Sequence, residues 1–184
     1  MTSVAPMTEG KSEVLSAGKR RTAREMAVQM LYQSDLGGST LPSIVNAFDL
    51  ADYLVREGAG KKPARPKGAD DAKGDYAKQR RRVEEAFRFA QELVRGTLDH
   101  REQIDELIRS QADNWRLERM PPVDRNILRL AVFEMLYEQD TPKLVVVDEA
   151  IELAKKFGSD QSGRFVNGLL DGLLKQHAFP GSLT

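Results

Sequence analysis

A chain of 184 residues is long enough for one hydrophobic core and too short for two ordinary domains with separate cores. Its 40% hydrophobic and 30% charged composition is globular, and no apolar run is long enough to span a bilayer. The 28 basic and 28 acidic residues cancel, so net charge gives no support to a general polyanion binder and any such case must rest on local clusters, while the absence of cysteine excludes disulfides, thiolate nucleophiles and cysteine-bound metals.

Residues 1–18 are small and polar without a repeating apolar face, and no apolar stretch follows a charged start. They are expected to form a disordered tail instead of a secretory signal, which places the protein in the cytoplasm. From 19 to 36, good helix formers carry Ala23, Ala27, Met30 and Leu31 at three- and four-residue spacing until Gly37-Gly38, and the first turns hold Lys19, Arg20, Arg21 and Arg24. A second helix is expected over 41–56, with Ile44, Phe48, Ala51, Leu54 and Val55 as its apolar stripe and Pro42 in its first turn. The Gly, Pro, Lys and Asp mixture at about 58–75 has almost nothing to bury and reads as a flexible insertion within one domain, its lysines keeping an exposed stretch soluble.

Helical periodicity returns at Tyr76 and runs through Val83, Phe87, Ala90, Leu93 and Val94 to a break at Gly96, after which Asp99 and Glu102 give an N-cap pattern for Ile104, Leu107 and Ile108. Pro121-Pro122 opens a helix carrying Ile127, Leu130, Ala131, Glu134 and Met135. The β-branched start of LVVVDEAIELAKKFG looks strand-like, but Val147, Ala150, Ile151 and Ala154 keep helical spacing. A last helix over 161–176, with Phe165, Val166, Leu169, Leu170 and Leu173, follows a cap region at Ser159-Asp160. No strand pair is left, so the class is all-α: one domain over 19–178 with a short tail at 179–184.

Catalytic patterns are weak. His100 and His177 lie in different segments outside any HExxH arrangement, and Gly58-Ala59-Gly60-Lys61-Lys62 lacks the first glycine and the hydroxyl of a phosphate loop. The carboxylates Glu84, Glu85, Glu102, Asp105 and Glu106 sit near Arg88 and Arg109 at helical spacing, the pattern of a solvated ion-paired face. No catalytic residue, metal site or cofactor is expected.

The binding patterns are stronger. Arg20 and Arg24 share a helix side with Arg21 and Lys19 flanking, so three guanidinium groups are expected to approach one phosphate backbone. These cations oppose the helix dipole, so helix stability does not explain them. The stretch from Phe157 through Ser159, Gln161, Ser162 and Arg164 to Phe165 combines short polar side chains, an arginine and aromatics, the parts that read unpaired bases.

The segments KRRTAREMAVQMLYQSDL, MPPVDRNILRLAVFEMLY and VVVDEAIELAKKFGSDQSGRFVNGLLD resemble the NusB family, and the likeness spans nearly all of the chain from Lys19 onward apart from the insertion. The resemblance implies a compact bundle of about seven helices in two antiparallel subdomains. It also implies a transcription antitermination factor that binds the single-stranded boxA element of ribosomal RNA operons together with the ribosomal protein NusE, within an RNA polymerase antitermination complex. Carried onto this sequence, the RNA contacts are Lys19, Arg20, Arg21, Arg24, Phe157, Ser159, Gln161, Ser162 and Arg164, and the NusE contacts are Tyr32 and Asp124. Gln161 replaces an acidic residue common in the family, Gly163 replaces larger polar residues, and the insertion is longer than usual. Monomer and homodimer both stay open. Two other functions compete: a helical protein-binding scaffold without RNA, and a module like the N-terminal domain of ribosomal RNA cytosine methyltransferases, which needs catalytic cysteines and a nucleotide-binding glycine loop that the 184 residues lack.

Overall fold

The computed structural model describes residues 16–59, 69–111 and 116–180, with side chains for 16–56, 76–111 and 116–180. The expected tail is therefore outside the described residues up to position 15, as are 60–68 of the insertion and 181–184 of the second tail. Among the described residues there are eight α-helices, one 3-10 turn and no strand: α1 Ala17–Gly37, α2 Leu41–Ala47, α3 Leu50–Ala59, α4 Ala69–Asp99, α5 Arg101–Gln111, α6 Pro122–Tyr137, α7 Lys143–Phe157 and α8 Ser162–Gln176. None of these helices is long and apolar enough to cross a membrane.

The central element is α6, which packs on α1 and α4 from the first half of the chain and on α5, α7 and α8 from the second. Its residues from Asn126 to Met135 are all buried, so a helix opened by Pro122 becomes the common wall of one continuous core. Arg24 of α1 bonds Glu134 near the end of α6 while Asp35 bonds Arg125 near its start, so α1 and α6 run antiparallel. Arg21 bonds Glu149 and Glu25 bonds Lys156, so α7 runs in the same direction as α1 along its flank. Gly38, at φ 60°, ends α1 in the left-handed conformation, and its N–H donates to the Ser34 carbonyl at 2.9 Å.

The expected helix over 41–56 is two helices. Phe48 is extended, at ψ 113°, and Asp49 accepts the Asp52 N–H at 2.8 Å to start α3. That break turns Tyr53 inward and leaves Ala51 and Val55 exposed, so the expected stripe is only partly buried. Helical backbone also enters the insertion from both sides, with α3 reaching Ala59 and α4 starting at Ala69.

Gly96 does not break α4, which continues to Asp99. A Cβ at Gly96 would overlap the Phe133 ring, so glycine is there to let α6 approach. Gly96→Ala is expected to cost about 1–3 kcal/mol from overpacking, against a helix-propensity gain of about 1 kcal/mol. A urea midpoint that falls in Gly96→Ala, and recovers when Phe133→Leu is added, checks this.

Three further expectations change. Asp105 is buried and accepts both Nε (2.7 Å) and Nη2 (2.9 Å) of Arg129, instead of lying on a solvated face. Glu84 and Glu85 pair backward with Arg80 and Arg81 instead of forward with Arg88. Phe179 is in the core, so order extends past the expected end of the domain at 178.

Candidate nucleic-acid interface

The cationic start of α1 divides by helix face. Arg24 is in register with Ala27 and Leu31, both buried, and lies 3% exposed with Nε and Nη2 donating to Glu134 at 2.8 and 2.7 Å. Burial alone would lower its pKa, but the hydrogen bonds and charge of Glu134 outweigh that and raise it, so the guanidinium is held ionised. The expected convergence of Arg20, Arg21 and Arg24 on one backbone is thus corrected: Arg24 is engaged inside the protein. Arg20 donates to the Thr141 hydroxyl at 2.8 Å, Lys19 pairs with Glu85, and Arg21 forks onto Glu149 at 3.0 and 2.6 Å. The Arg21 side chain remains 56% exposed, and an exposed pair of this kind is worth about 0–1 kcal/mol, so a phosphate competes for it readily.

The turn between α7 and α8 forms the second cluster. Ser162 is 1% exposed, and its hydroxyl oxygen accepts the Ser159 N–H at 2.8 Å, so it closes the turn. This corrects both the expected cap at Ser159-Asp160 and the expected RNA contact from Ser162. A Cβ at Gly158 would overlap the Ser162 side chain and come within 2.7 Å of the Ala154 carbonyl, which explains glycine there. Ser159, Gln161 and Arg164 are exposed, and with Phe165 they edge an open hollow of about 330 Å³. Phe157 is half-buried in a different groove, of about 400 Å³, beside Glu25, Gln29 and Lys156.

α7 connects the two clusters. Arg21 meets α7 at Glu149, and the helix ends at Phe157, eight residues and about 12 Å further along its axis, where the turn follows. Lys156 fills part of the interval: its Nζ donates to Glu25 at 2.6 Å and stands 5.5 Å from the Phe157 ring centre. Lys156 stands one residue before the stretch that the sequence singles out, and its signal there is KKF ahead of the turn.

The two expected protein-contact residues differ. Tyr32 is 38% exposed on α1. Asp124 is 3% exposed, edges the hollow beside Arg164, and keeps one carboxylate oxygen without a hydrogen bond. It is the third residue of α6, where a carboxylate ordinarily accepts an N–H at the helix start, but Pro121 and Pro122 have none to offer. Among the described residues no group of three or more His, Asp or Glu is placed to hold a metal ion.

Comparison with known proteins agrees with this architecture. The family model described as the NusB family matches residues 21–175. A transcription antitermination protein NusB of Myxococcus xanthus is 40% identical over 154 residues, covering 84% of this chain and 93% of that one. The solved structure of T. maritima NusB is 34% identical, covers 86% of this chain and 92% of that one, and has a TM-score of 0.59. A structure of antitermination factors NusB and NusE in complex with dsRNA is 26% identical to this chain, covers 88% of it and 100% of the matched chain, and has a TM-score of 0.61. With the family pattern running from the basic start of α1 to the last turn of α8, and relatives of similar length sharing the bundle, this chain belongs to the NusB family.

Proposed function

We propose that this chain is a non-catalytic transcription antitermination factor of the cytoplasm, binding a boxA-type single-stranded RNA together with the ribosomal protein NusE to promote read-through in ribosomal RNA operons. The observation that carries this reading is the arrangement along α7: Arg20 and Arg21 meet Thr141 before it and Glu149 in its middle, Lys156 and Phe157 end it, and Ser159, Gln161 and Arg164 follow in the turn and the start of α8. The cations attract backbone phosphates without regard to sequence, while the polar turn and Phe157 offer hydrogen bonds and stacking to unpaired bases. Arg24 and Ser162 act beneath this surface, one fixing α1 on α6 and the other closing the turn. The NusB–NusE–dsRNA complex, as a structural relative, supports the choice of partners. Tyr32, exposed on α1, is the NusE contact; Asp124 shapes the hollow at the α7–α8 turn.

The test is a titration of a boxA-like strand and a scrambled strand, with and without NusE, across a salt series. Tighter binding of the boxA-like strand, strengthened by NusE, is expected. In Arg20→Ala/Arg21→Ala the slope of log K against log salt should fall by about 0.7 for each phosphate that is no longer neutralised. An unchanged slope removes the α1 cations from the interface, and equal binding of both strands removes the boxA reading.

A further inference from the structure

The second basic group of the sequence is not confined to the insertion: part of it lies against the start of α1. Lys78, Arg81 and Arg82 occupy one strip of α4 at i, i+3 and i+4, and Glu85 continues that strip one turn on. Glu85 accepts hydrogen bonds from both Lys19 of α1 and Arg81 of α4, so one carboxylate joins the two basic groups. Arg82 lies over Gly18, where a Cβ would meet its guanidinium. The first turn of α1 thus abuts Arg82, and α4 projects beyond it toward Lys78 and on to Ala69.

We infer that Lys78, Arg81 and Arg82 form an accessory phosphate-binding strip on α4, which holds RNA flanking the element bound along α1 and α7. The inference rests on the RNA-binding reading above and extends its footprint. Three features support it. The Arg81 side chain is 80% exposed, Arg82 and Lys78 are exposed, and neither of the latter two has an ion-pair partner among the described residues. The strip continues into Lys19 through their shared partner Glu85, and Arg21, two residues on, faces α7 at Glu149, so a strand passing over the first turn of α1 reaches both α7 and α4. Arginine presents a planar fork that matches phosphate oxygens, and the exposed Arg81–Glu85 pair yields easily to a competing phosphate. Nothing on this strip offers the apolar area or aromatic pockets of a protein-binding hot spot, so the recognised chemistry is a flexible polyanion read through its backbone.

The experiment compares three RNAs on the full-length protein: a boxA-like strand alone, and the same strand carrying a run of uridines at its 5′ or its 3′ end. Wild type should bind one lengthened strand more tightly than the short one, with a salt slope steeper by about 0.7 per additional phosphate neutralised, close to about 2 for three. The variant Lys78→Ala/Arg81→Ala/Arg82→Ala should bind the short strand as wild type does and lose the gain. Lys78→Ala/Arg82→Ala, which leaves the Lys19–Glu85–Arg81 link intact, should lose most of it. Equal binding of short and lengthened strands by wild type overturns the inference while leaving the boxA reading standing. So does a gain that survives in the triple variant, or a triple variant that competes less well for a polyglutamate peptide but not for RNA. Failure of wild type to bind the short strand overturns the underlying reading as well, and is seen in the same titration.

Discussion

Replacing Arg24 by alanine is expected to lower the unfolding free energy by about 3–5 kcal/mol, because Glu134, 2% exposed, is left as an uncompensated buried charge in the middle of the core. For a protein of this size that corresponds to a fall in Tm of about 6–20 °C. The pair is bidentate and nearly dry, with side-chain exposures of 4% and 2%, and Arg24 has only a distant second partner in Glu149 at 3.9 Å. Replacing both partners by apolar residues of similar volume, Arg24→Met with Glu134→Leu, should recover most of the loss, since two desolvation costs disappear together. The folded fraction of Arg24→Ala should keep the wild-type salt slope for RNA, whereas Arg20→Ala/Arg21→Ala should keep Tm and lose slope. A variant at position 24 that is as stable as wild type but binds RNA weakly would return Arg24 to the interface.

That contrast shows how far the sequence could be read. The helices were legible because their apolar spacing is regular: even the Val145 to Val147 run is helical, since Ala150 and Ala154 continue its buried face. The break at Phe48-Asp49 was hidden because Phe48 and Leu54 both pack inward on either side of it, so the apolar pattern carries on while the backbone does not. Gly96 misled for a different reason. A glycine in a helix normally marks an end or a weak point, and only the Phe133 ring on a helix distant in sequence reveals that it is a packing site. Charge without register places Arg24 at the surface, but it falls in line with Ala27 and Leu31, and its complement is the lone acid within ILRLAVFEMLY. Ser162 was beyond reach, since whether a serine closes a turn or faces a ligand depends on a backbone geometry that its neighbours do not spell out.

The second large effect is expected at Asp35, which joins α1 to α5 and α6. One of its oxygens accepts Arg125 Nη2 at 2.5 Å, Arg125 Nε at 3.0 Å and Asn126 Nδ2 at 3.1 Å; the other accepts Arg129 Nη1 at 3.0 Å and Arg101 Nη2 of α5 at 3.4 Å. Arg129 is itself forked onto Asp105, so the network holds two carboxylates and two guanidinium groups largely shielded from water, with the more exposed Arg101 pairing with both carboxylates at its edge. Asp35→Asn keeps the shape but removes one charge, and is expected to cost about 3–5 kcal/mol at neutral pH. Burial acts to raise the Asp35 pKa, yet the hydrogen bonds and charges of Arg125 and Arg129 overcome it and hold the carboxyl below its ordinary value. A depressed carboxylate contributes its stability above the unfolded pKa, about 3.9, and loses it as pH falls from there through the folded value. The stability difference between wild type and Asp35→Asn, measured by urea unfolding, should therefore be constant at neutral pH and narrow only below about pH 4. A difference that stays the same down to the acid limit would mean that Asp35 contributes through shape and neutral hydrogen bonding, and that its charge does not hold α1 against α6.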